Sequence, residues 1–146
     1  MFPDKNRMVR NANALWAVFV ISPVVYISTT VPIVLQGRGL ARNTDIIPLL
    51  FLALAAVSIS NIGVMVFIQT SPRIMADRVR YDPIGRVYLI LSTGAVLSEA
   101  LSIYGLVLTL LSGSIFYVLG FTLVTWICLF WVRLKFKKNL GRIPDK

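Results

Sequence analysis

The sequence predicts an all-α integral membrane protein, a single membrane domain over residues 1–146 formed by an antiparallel bundle of four transmembrane helices. Three observations predict it. Hydrophobic residues make up 57% of the chain and charged residues 14%, where a soluble domain carries roughly 25% charged. The apolar residues gather in four runs, each near the length a bilayer requires. The Lys and Arg residues stand in the gaps between those runs.

The first run is Ala14 to Leu35. Lys5, Arg7 and Arg10 precede it, as in a signal peptide, but the run exceeds a signal's apolar core and no small-residue cleavage site follows. It reads as a retained helix, with Pro23 and Pro32 expected to kink it or fray its outer end. The second run, Ile46 to Ile68, opens with Asp45 as a candidate N-cap and Pro48 in the first turn. The third is Val87 to Leu111, after which Ser112-Gly113-Ser114 breaks the chain for a tight turn. The fourth is Ile115 to Val132, with Trp126 and Trp131 placed toward an interface, and a basic tail follows over residues 133–146.

Charge sets the expected orientation. Lys5, Arg7 and Arg10 lie before the first helix, and Arg73, Arg78, Arg80 and Arg86 lie between the second and third. Arg133, Lys135, Lys137, Lys138, Arg142 and Lys146 follow the fourth. With four spans these segments share one side, and only Arg38 and Arg42 lie on the other. The positive-inside rule then places both termini in the cytoplasm. Arg133, Lys135, Lys137 and Lys138 are expected to meet anionic headgroups or a partner, or to act only as a stop-transfer anchor. The net charge of +9 does not argue for nucleic acid, because the cations form no continuous face.

Several function classes drop out. The chain has no histidine, which removes His-ligated haem, His-based zinc sites and histidine general-base chemistry. Its single cysteine, Cys128, lies inside the last run and reads as a small hydrophobe. No nucleotide loop, metal-ligand spacing or nucleophile–base pair stands in the sequence, so neither a metal, a cofactor nor a stand-alone enzyme is expected.

One residue stands against the apolar pattern. Glu99 is the chain's sole glutamate and lies twelve residues from either end of the third run, near the bilayer midplane. A charged side chain there costs about 3 kcal/mol on insertion scales. No Lys or Arg stands at that depth, so the neutral, protonated carboxyl is expected, with exchange of its proton. Ser92, Ala95, Glu99, Ser102, Leu106 and Thr109 share one helical face, small and partly polar. Ala53, Ala56, Ser60 and Gly63 give the second helix a small-residue packing stripe, and Asn61 and Ser58 offer hydrogen bonds to Glu99 at similar depth. Either Glu99 carries protons or another monovalent cation, or it makes an interhelical hydrogen bond in an accessory or assembly subunit.

The segment Ser98 to Leu111, SEALSIYGLVLTLL, resembles the ion-carrying helix of the proteolipid c subunit of rotary F-type and V-type ATPases. The polar stretch Arg80 to Arg86 and the small residues of the second helix extend the likeness over about residues 53–111. The resemblance implies that Glu99 is the ion carrier, with Tyr104 and Ser102 supporting it. Ala100 after the acid leans toward protons. A partner subunit, or copies of this chain, would supply access channels, and the setting would be a bacterial inner membrane. The chain departs from that family by an extra helix at each end and by Ala and Ser in place of the glycine repeat. Those departures leave ring assembly open.

Overall fold

The computed structural model describes residues 5–37, 45–71 and 83–141. They form four helices, α1 (Lys5–Leu35), α2 (Ile46–Thr70), α3 (Pro83–Ser112) and α4 (Ile115–Leu140). All four are long and apolar enough to span a membrane, as in a multi-pass membrane protein. Each helix contains the expected run, but α1 starts at Lys5 rather than near residue 14, and α4 continues to Leu140 rather than ending near 132. Hydropathy marks only the stretch that needs lipid. The polar turns beyond it stay helical because nothing there breaks the backbone ladder. Arg133, Lys135, Lys137 and Lys138 thus stand on the last turns of α4, not on a separate tail.

The expected break at Ser112-Gly113-Ser114 is present. Gly113 takes φ +70, a conformation glycine reaches without steric cost. Its N–H donates to the Thr109 carbonyl at 2.9 Å. The Thr109 hydroxyl in turn accepts from the Val118 N–H at 2.9 Å, tying the last turn of α3 to the first turn of α4. Asp45 stands at the N-cap of α2 but its side chain makes no capping bond. Its backbone is already αR, at φ -72 and ψ -24, rather than the extended shape that aims a cap at the first turn.

α1 runs unbroken through Pro23 and Pro32. Neither proline frays it, and at Pro23 the sequence carries its own repair. Proline has no N–H, so the carbonyl one turn earlier, Phe19, loses its helical donor. The Ser22 hydroxyl lies 3.3 Å from that carbonyl oxygen and can supply the missing donor.

α3 is the centre of the arrangement, packing on α4, α1 and α2, while α1 also packs on α4. It can do so because it carries two buried seams. Val87, Leu91, Gly94, Ser98, Leu101, Gly105 and Leu108 form one, spaced alternately by four and three residues. Four of the six residues of the small polar face read from the sequence, Ala95, Glu99, Ser102 and Thr109, form the other and are buried, while Ser92 and Leu106 are half-buried. α4 answers with Val118, Thr122, Thr125, Leu129, Val132 and Phe136 at the same alternating spacing. Between helices in lipid the driving force is close packing, not the hydrophobic effect, so small residues at crossings matter most. A Cβ on Gly105 would lie 2.6 Å from Phe121 Cβ and 3.0 Å from the Tyr117 carbonyl oxygen. A Cβ on Gly94 would lie 2.7 Å from Gln69 Nε2 and 3.0 Å from a Val132 methyl. Gly105 lets α3 and α4 meet nearly backbone to backbone, while Gly94 makes room for the side chains of Gln69 on α2 and Val132 on α4.

Hydrogen bonds fix the remaining registers. Trp126 Nε1 donates to the Val20 carbonyl at 3.2 Å, and Trp16 Nε1 donates to the Leu129 carbonyl at 3.4 Å. α1 and α4 therefore run antiparallel. Gln69 Nε2 donates to the Ile90 carbonyl at 3.3 Å, and Ser98 Oγ, which donates to the Gly94 carbonyl at 2.8 Å, lies 3.4 Å from Met65 Sδ, which sets α2 antiparallel to α3. Trp126 thus helps to pack the α1–α4 pair.

Candidate functional site

Glu99 is 7% exposed on the second seam of α3, and it faces α1. The Ser22 hydroxyl donates to Glu99 Oε1 at 2.5 Å. Tyr26, one turn further along α1, lies near enough to interact electrostatically with the same carboxyl. Glu99 Oε2 is buried with no hydrogen-bond partner. Among the described residues no cation pairs with this carboxyl.

The sequence placed its partners on α2, and the structure puts those residues elsewhere. Asn61 Nδ2 donates to the Tyr104 hydroxyl at 3.2 Å, on the α2 side of α3. Residues five apart on a helix point about 140° apart, so Tyr104 and Glu99 look to different neighbours. Ser58 Oγ donates to the Leu54 carbonyl of its own helix at 2.7 Å. It borders an apolar groove of about 460 Å³ between α2 and α4, lined also by Phe51, Tyr117 and Phe121. Ser102 is fully buried and donates to the Glu99 backbone carbonyl at 2.8 Å, not to its carboxyl. It steadies the local turn rather than the ionisable group.

The small residues of α2 also take a different place. Ala53, Ala56, Ser60 and Gly63 are exposed on this chain, and a Cβ on Gly63 would meet nothing within 4 Å. α2 buries Ser58, Met65 and Gln69 instead. The reason is that α3 offers Gly94 and Ser98 as its close-approach points, and these accept larger α2 side chains. Ala95, by contrast, is 1% exposed. Arg73, Arg78, Arg80, Arg142 and Lys146 lie outside the described residues, as does the part of the polar stretch Arg80 to Arg86 that precedes Pro83. Arg86 itself is buried near the start of α3.

The residue that sequence reasoning missed is Ser22, with Tyr26 behind it. Its signal was present: a serine directly before a proline, midway along an apolar helix.

What this arrangement can do follows from counting protons. A serine hydroxyl has one hydrogen and can also accept. Ser22 has two acceptors in reach, Glu99 Oε1 and the Phe19 carbonyl that Pro23 leaves without its N–H. When Glu99 is ionised, the hydroxyl donates to the carboxylate. When Glu99 is protonated, the carboxyl donates to Ser22 Oγ, and the hydroxyl turns to Phe19. Either protonation state keeps one hydrogen bond to Ser22, at the cost of one rotation of a hydroxyl, while Oε2 has no partner.

Comparison with known proteins found no matching family model, no curated relative and no matching solved structure.

Proposed function

We propose that this chain is a membrane subunit that takes up and releases a proton, or another monovalent cation, at Glu99. The observation that carries the reading is the Ser22 bond to a buried carboxyl that has no countercharge among the described residues, with a proline-orphaned carbonyl as the second acceptor. A buried carboxylate without a cation is costly in lipid, and such residues commonly mark ion paths. A group serving only structure needs one good protonation state. Here two are accommodated. Transport would then consist of alternate protonation and deprotonation as the carboxyl meets different aqueous paths, which partner subunits or further copies of the chain would provide. The likeness to rotary proteolipids supports the midmembrane acid alone, since Tyr104 engages Asn61 rather than Glu99. The charge count favours a cytoplasmic location for both termini, with the basic end of α4 against anionic lipid.

A second reading has its own support. The Ser22–Glu99 bond joins α1 to α3, so Glu99 would equally serve as interhelical glue in a non-catalytic accessory or assembly subunit. Labelling with a hydrophobic carbodiimide separates the two, because the reagent modifies protonated carboxyls in apolar surroundings. The carrier reading expects Glu99 to be modified selectively and less so as pH rises. Protection by sodium would move the assignment from protons to sodium. Absence of labelling at every pH in folded protein would refute the carrier reading and leave the structural one.

A further inference from the structure

The basic end of the molecule holds a second constellation, remote from Glu99. The antiparallel register of α1 and α4 brings Arg133 to Asn13, and Arg133 Nη2 donates to Asn13 Oδ1 at 3.2 Å. The guanidinium carbon lies 3.8 Å from the centre of the Trp16 ring. Trp16 meets Phe130 edge-on at 5.5 Å, so the ring beneath the cation is itself held. A guanidinium has five N–H donors, and stacking uses its face rather than its edge. Arg133 is therefore fixed in place with donors to spare.

Helical spacing adds two more cations to the same seam. Lys137 stands four residues after Arg133 on α4, and Arg10 stands three before Asn13 on α1, so both belong to the facing sides. Both are exposed. Among the described residues the acids are Asp45, at the start of α2, and Glu99, and neither pairs with these cations. Like charges gathered at helix ends repel, so the seam calls for an anion.

We propose that Arg10, Arg133 and Lys137 bind the phosphate of an anionic phospholipid, with Asn13 and Trp16 positioning Arg133. A planar guanidinium matches a phosphate in two-point geometry. Tryptophan beside it is the residue expected at headgroup level. Lys135 lies on the other flank of α4, its ammonium 5.3 Å from the Trp131 ring, and Lys138 follows three residues later on that flank. Those two lysines give only diffuse attraction to the surface.

The test is native mass spectrometry of the full chain in mild detergent, with phosphatidylglycerol and phosphatidylcholine supplied equally. Phosphatidylglycerol should be retained preferentially, and excess inorganic phosphate should not displace it. R10Q and K137Q change exposed side chains and leave the packing intact. Each should weaken retention about fivefold, the expected effect of one cation near an anionic surface, while K138Q should change it little. Equal retention of the two lipids overturns the proposal. So does an equal effect of K138Q and R10Q, which would mean diffuse surface charge, or displacement by inorganic phosphate, which would mean an anion site without lipid selectivity.

Discussion

Gly105→Ala tests the packing that brings α3 and α4 together. The added methyl carbon would lie 2.6 Å from Phe121 Cβ, 3.0 Å from the Tyr117 carbonyl oxygen and 3.1 Å from Val118 Cα. None of these atoms is the free end of a flexible side chain. Relief requires the helices to separate by several tenths of an ångström. That separation loosens the contacts of Leu101, Leu108 and Val118, which are at most 1% exposed. Overpacking of this kind costs about 1–3 kcal/mol, and backbone among the obstacles points to the upper half of that range. Gly120→Ala is the control, because a Cβ there meets nothing within 4 Å, and alanine is the better helix former by about 1 kcal/mol. The assay is reversible unfolding in mixed micelles, followed by helicity. The expected result is a clear loss for G105A and no loss, or a small gain, for G120A. Equal stabilities for the two variants would refute the close crossing.

Three further substitutions probe the carboxylate site and its frame. Ser22→Ala removes the donor to Glu99 Oε1 and should cost about 1 kcal/mol in the same unfolding assay, whereas Ser58→Ala, which loses only a bond within its own helix, should cost less. Pro23→Ala restores an N–H for the Phe19 carbonyl, so Ser22 must share the acceptor it uses when Glu99 is protonated; carbodiimide labelling of Glu99 at fixed pH should fall, although the helix itself gains up to about 3 kcal/mol of propensity. Trp126→Phe keeps the ring but removes the donor to the Val20 carbonyl, and should cost about 1 kcal/mol without changing that labelling.

The spans were legible because lipid imposes a length and a composition on any helix that crosses it. The outer turns were not, since Lys5 to Asn13 and Arg133 to Leu140 carry no apolar signal and stay helical for lack of a breaker. The turn at Gly113 could be read because a positive φ selects glycine. Glu99 stood out as an acid in an apolar run, and its buried face with Ala95, Ser102 and Thr109 followed from helical spacing. Its partner did not follow. Which helix lies against which face of α3 depends on fit between helices, and no local period records it. The small residues Ala53, Ala56, Ser60 and Gly63 pointed to α2, while the residue that meets the carboxyl is a single serine on α1. Gly94 and Gly105 stand at close contacts, yet in sequence they look no different from Gly63 and Gly120, where an added Cβ would meet nothing within 4 Å.

The central claim is that Glu99 changes protonation state inside the folded protein. Infrared difference spectroscopy of the chain in lipid, recorded across a pH titration, observes the carboxylic acid C=O stretch directly, and Glu99→Gln assigns it. The account predicts a protonated-acid band that is lost as pH rises, is absent from E99Q, and shifts in S22A because the hydrogen bond at Ser22 is gone. A titration in which no such band appears or disappears, with E99Q identical to the parent chain, would contradict it.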